Sequence, residues 1–139
     1  MGESDPLAAL TDDDCWTLLA ENDLGRLVLS AAGDIDVFPV NFVADHGVLY
    51  VRTAPGTKLL ELTVHPDVIF EVDHVDDDRA YSIVVRGIAT ELQKQSEIDE
   101  AEALPLRPIL PTLKYRWVRI TPTSLSGRLF SRGVEPDRF

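Results

Sequence analysis

Chemistry is best concentrated where Arg52 and Thr53 are followed by Ala54-Pro55-Gly56 and then Thr57 and Lys58. A strand ends, a Pro-Gly turn follows, and apolar spacing starts a helix near Thr57. The first N–H groups of a helix have no intrahelical partner and favour anions. Leu60 stands where a capping-box Glu or Gln would be, so no side chain is set to claim those donors. Arg52 can grip a phosphate with its planar fork, and Lys58 adds a point charge. The spacing is not that of a P-loop. An ordinary strand–turn–helix junction with two solvated cations accounts for the same residues.

Three other groups can contact a ligand. Phe38-Pro39-Val40-Asn41-Phe42 reads as a strand interrupted by a proline, which donates nothing to a ladder and marks a partly free edge. Free main-chain groups there can meet the polar edge of a flat heterocycle, and Asn41 both donates and accepts. An edge proline that blocks aggregation is the plainer account. Tyr81, Tyr115 and Trp117 can stack on a ring, or pack as half-buried aromatics. Ser82 can bond a ligand, or sit satisfied in its strand.

Other combinations are poorer. The run Asp73, His74, Asp76, Asp77 and Asp78 lacks the alternate spacing and central glycine of a calcium loop. His46, His65 and His74 have no zinc spacing, and the single cysteine, Cys15, falls on a predicted buried helix face. No metal site is expected.

The elements that position these groups follow from apolar spacing. Thr11 caps a helix over 11–22 with Asp12, Asp13 and Asp14 in its first turn. Strands are expected at 25–30, 35–44, 48–53, 68–72, 81–92, 115–121 and 125–130. Short helices are expected at 57–64 and 96–104, with an acidic loop over 73–79. Gly87, inside a strand, signals a bulge or a close backbone approach. Residues 1–10 read as a flexible lead, 11–131 as one domain and 132–139 as a flexible tail. Many short strands with few helices suggest a barrel or sandwich.

Composition narrows the function further. The 139 residues carry a formal net charge of −11 at pH 7, which disfavours nucleic acid and anionic membranes as partners. No apolar run is long enough to span a bilayer and the start has no signal-peptide pattern, so a cytoplasmic location is expected. An anionic ligand would need a local cationic island, for which Arg52, Lys58, Lys114, Arg116 and Arg119 are the candidates.

In their order along the chain, several segments resemble a known family. They are Leu24-Gly25-Arg26-Leu27, Phe38 to Phe42, Arg52 to Lys58, Phe70-Glu71-Val72-Asp73, Ser82 to Gly87, and Trp117-Val118-Arg119-Ile120. The chain is similar to the pyridoxamine 5'-phosphate oxidase-like, FMN-binding split-barrel proteins, in the branch that includes nitroimidazole-resistance proteins. The resemblance implies a mainly β, six-stranded Greek-key split barrel, homodimeric, with FMN in clefts at the interface. By position, Arg52, Thr53, Thr57 and Lys58 would hold the FMN phosphate. Pro39, Val40, Asn41 and Phe42 would line the ring through the main chain. Ser82 would face the cofactor or the partner subunit, and Trp117 and Arg119 would complete the cleft wall from the other chain. The C-terminal basic and aromatic set that binds pyridoxal phosphate in full-length oxidases has no match, which argues against that activity. The implied function is an FMN-dependent oxidoreductase of unidentified small-molecule substrate. A non-catalytic flavin carrier, or an F420- or haem-binding relative, is the alternative, since a fold does not fix its ligand.

Overall fold

In the computed structural model, residues 7–31, 33–110 and 114–131 are described. Ten elements follow in order: β1 (Leu7–Ala9), α1 (Asp12–Leu19), β2 (Leu24–Ala31), β3 (Asp34–Asp45), β4 (Val48–Thr53), α2 (Thr57–Val64), β5 (Asp67–Val75), β6 (Arg79–Glu91), α3 (Gln95–Glu102) and β7 (Arg116–Ser131). All strand pairs are antiparallel. The order β7-β4-β3-β2-β5-β6 closes through a β6–β7 pairing, so six strands form the ring of a split barrel and β1 is appended to β7. Among the described residues, no helix is long and apolar enough to cross a membrane.

Strand alternation fills the ring. Leu27 and Leu29, Val40 and Phe42, Leu49 and Val51, Phe70 and Val72, Ile83 and Val85, and Val118 and Ile120 are all buried in one core. Phe42 and Phe70 meet edge to face at 4.8 Å, a contact worth roughly 0.5–1.5 kcal/mol beyond its area. The helix α1 closes one side with Cys15, Leu18 and Leu19. Thr11 caps it as expected and Asp14 completes a capping box. Burial, with Asp12 and Asp14 close by, pushes the Cys15 thiol up, as suits a packing residue.

Several boundaries differ from expectation. The acidic stretch 73–79 is largely ladder, because β5 runs to Val75 and only Asp76 to Asp78 turn the hairpin. Asp76 makes that turn by accepting from the Asp78 and Arg79 amides. The two strands expected at the C-terminal end are one, β7, which bends from β4 to β1 without leaving β6. Within the stretch read as a loose lead, Leu7–Ala9 pair with Arg128 to Phe130. The tail 132–139 lies outside the described residues. Gly87 does mark an irregularity, between Arg86 and Gly87. A Cβ there would stand 2.6 Å from the Thr121 carbonyl oxygen, so only glycine lets the two strands approach.

Candidate functional site

Alternation places half of each strand's side chains outside the ring, and three expected site residues share one outer row. Asn41 on β3 registers with Arg52 on β4, which registers with Trp117 on β7. Arg119 stands one row on, beside Tyr50. This outer face is not bare. The helix α3 and the connector behind it cover it, building a second apolar cluster from Leu92, Ala101 and Trp117 with Tyr50, Ile98, Leu106 and Tyr115.

Carboxylates on α3 fasten the cover. One oxygen of Glu102 accepts from the Tyr115 hydroxyl at 2.7 Å and from Trp117 Nε1 at 2.9 Å. Glu97 pairs with Arg119 at 3.0 Å. Hydrogen bonding to Glu102, helped by burial, raises the Tyr115 pKa, so this phenol keeps its proton. Asn41 fastens the connector. Its Nδ2 donates to the Leu110 carbonyl at 3.0 Å and its Oδ1 accepts from the Ile109 and Leu110 amides at 2.8 and 3.1 Å. The Asn41 amide is therefore engaged by the protein's own chain. The stretch of β3 before Asn41 pairs with β2 alone, which leaves the free edge that Pro39 announced.

Arg52 differs from the ion-paired arginines. Arg26, Arg79, Arg107 and Arg119 each meet at least one carboxylate. Arg52 meets none among the described residues. Its guanidinium lies 3.9 Å from the centre of the Tyr115 ring, and its Nε is cut off from solvent with no hydrogen-bond partner. A half-buried cation with an unused donor, on a chain of charge −11, is a ready partner for an anion.

Other expected residues lie elsewhere. Thr53 is next to Arg52 but points to the opposite side of β4 and is buried. Val40 and Phe42 are core. Thr57 and Lys58 open α2, but their side chains lie outside the described residues. Gly56 caps α2 with φ of 153°, a conformation that glycine tolerates, and among the described residues no side chain caps the helix start. A cleft of about 600 Å³ opens beside it, lined by Pro55, Gly56, Leu59, Gln93, Ile98 and Arg116 among others. Leu92 and Ile98 line this cleft and also pack in the Trp117 cluster, so cleft and Arg52 layer adjoin. Ser82 is half-buried and registers with Arg128, eleven positions along β7 from Trp117, so the fold of this chain does not bring it to Arg52. Tyr81 is no stacking platform: it is buried, accepts from Asn22 through its hydroxyl and stacks on His74. Sequence reasoning missed Glu97 and Glu102, because nothing in a polar helix marks which acid will reach β7.

A second outer face differs. On β2, β3 and β5 it presents Ile35 (75% exposed), Val37 (61% exposed), Leu24 and the half-buried Val28 and Ile69. Beside them Arg26 bridges Glu71 and Asp73. Burial, with Asp73 adjacent, pushes the Glu71 carboxyl up despite Arg26.

The sequence pattern of the family described as pyridoxamine 5'-phosphate oxidase matches residues 11–129. The chain belongs to the pyridoxamine 5'-phosphate oxidase family. Solved structures of similar fold include a Corynebacterium glutamicum protein provisionally designated a pyridoxamine 5'-phosphate oxidase. It is 42% identical, with a TM-score of 0.86 over 96% of this chain and 100% of that one. An FAD-binding protein from Mycobacterium smegmatis is 36% identical, with a TM-score of 0.75 over 91% and 100%. An FAD-binding protein from Mesorhizobium loti is 25% identical, with a TM-score of 0.76 over 88% and 97%.

Proposed function

We propose that this family member binds a flavin nucleotide through its phosphate at Arg52 and serves as a flavin-dependent oxidoreductase acting on a small molecule. The observation that carries the reading is Arg52 itself: half-buried, stacked on Tyr115, with an orphaned Nε and no carboxylate among the described residues. A bound phosphate supplies the missing acceptor and charge. Lys58 and the uncapped start of α2 add donors. The free edge of β3 around Pro39 offers main-chain groups to the ring. When bound, a flavin supplies hydride and single-electron transfer, while the protein binds, orients and shields it.

Two forms of the cofactor fit this account. FMN is the form the sequence resemblance implies. FAD is the second reading, favoured by the named ligand of the M. smegmatis and M. loti relatives and by the cleft beside α2. Haem has less support. His46 and His65 are exposed, and His74 is held by Asp76 and Tyr81, so no histidine stands by Arg52. F420 remains an outcome of the test.

The reading includes a homodimer. An apolar patch on an otherwise acidic surface calls for cover, and the outer face of β2, β3 and β5 is suited to a second copy. A partner copy is also the way for Ser82 to approach an Arg52 site. The absorbance spectrum of freshly purified protein, with mass identification of what heat releases, tests the proposal. Flavin bands with an FMN or FAD mass are expected. A colourless protein that takes up neither would overturn it.

A further inference from the structure

We propose that Tyr115 is a positioning residue that holds Arg52 open for its anion, with Glu102 as the latch on Tyr115. The inference rests on the reading of Arg52 as the phosphate anchor.

A guanidinium can be held in two ways. A carboxylate uses its in-plane N–H donors and cancels its charge. An aromatic ring takes the flat face and leaves the donors and the charge available. Arg26, Arg107 and Arg119 are held in the first way, Arg79 has two carboxylates as well as the Tyr81 ring at 5.4 Å, and Arg52 has the ring alone among the described residues. Tyr115 is fixed in turn. Its hydroxyl donates to Glu102 and its ring meets Trp117 edge-on at 6.0 Å and 89°. The acid that Glu102 brings toward this region is spent on two neutral donors, Tyr115 and Trp117. Donating to an anion also polarises the phenol and makes its ring face more attractive to a cation. Since α3 supplies Glu102, docking of α3 and readiness of the anion site are coupled.

The test uses the apo-protein titrated calorimetrically with FMN and with riboflavin, which lacks the phosphate. Tyr115→Leu removes the ring and should weaken FMN about tenfold, the range of a desolvated cation–π contact. Riboflavin affinity should not change. Tyr115→Phe keeps the ring and should restore FMN affinity to within about threefold of wild type. Glu102→Ala frees the phenol without altering the ring; it should lower FMN affinity about threefold with riboflavin unchanged, and it serves where Tyr115→Leu does not fold. Equal losses for FMN and riboflavin, or equal losses in the Leu and Phe variants, would make Tyr115 a packing residue and overturn the inference. Arg52→Met separates the two levels. If it loses FMN while Tyr115→Leu keeps wild-type affinity, this inference alone fails. If Arg52→Met binds FMN as wild type does, the phosphate reading beneath it fails.

Discussion

The two outer faces of this barrel are built by the same strand alternation and end differently. On β4 and β7 the chain covers itself. Asn41, Glu97 and Glu102 fasten α3 and its connector over Tyr50, Arg52, Trp117 and Arg119. On β2, β3 and β5 no described residue covers Ile35 or Val37. The covered face is held by polar fasteners at its rim, and within it one cation, Arg52, is left without an acid. The bare face is apolar, with its charges gathered into the Arg26, Glu71 and Asp73 group. In the proposed reading the difference separates two tasks: the covered face would prepare a ligand contact, and the bare face would take a second copy of the chain.

The comparison breaks most completely if the bare face stays bare. Val37→Asp places a charge in the centre of the apolar patch and should convert a dimer to monomer at micromolar concentration, measured by sedimentation. An unchanged sedimentation coefficient for the variant, or a monomeric wild type, would remove the second copy from the account.

The covered face is tested next by Asn41→Ala. This variant strands two amides and a carbonyl of the connector, and unmet buried groups cost about 1–3 kcal/mol each, partly relieved by water. Urea unfolding should show a loss of about 2–3 kcal/mol. Proteolysis should find the 103–110 connector first. A loss under about 0.5 kcal/mol, the size of an ordinary surface substitution, would show that the connector holds without its bracket.

The smallest effect lies away from both faces, at the hairpin tip. Amides of Asp78 and Arg79 and the ring of His74 hold the Asp76 carboxyl at about 2, below its ordinary 3.8. A depressed folded-state value means that the ionised form stabilises the fold. The contribution is complete above the ordinary value and fades as pH falls through about 2. Asp76→Asn should therefore lower Tm slightly at pH 7, with the gap closing toward pH 2. A gap that is the same at both pH values would assign the effect to lost geometry and not to charge.

Much of the fold was legible because it rests on local rules. Period-two burial gave β4 and the interior of β3 and β6, Thr11 gave the start of α1, and Gly87 gave its own irregularity. What was not legible depends on contacts distant in sequence. Asn41 read as a ligand group because its chemistry allows that, but its amide is taken by residues 68 and 69 positions away. Leu7–Ala9 carry no strand signal of their own and pair because the end of β7 has a free edge for them. Arg52 was singled out for its fork beside a helix start. Its real distinction, a ring in place of an acid, depends on Tyr115 crossing from the far end of the chain.

The most direct test of the account is flavin affinity in apo wild type, Arg52→Met and Arg79→Met, titrated with FMN and FAD at low salt. Arg79 is the control, a cation already paired with Glu21 and Asp76. Loss of one charge-assisted phosphate contact should weaken binding by about 30-fold in Arg52→Met, with Arg79→Met equal to wild type. Wild-type affinity in Arg52→Met, or the same loss in both variants, would contradict the assignment of Arg52 as the phosphate anchor.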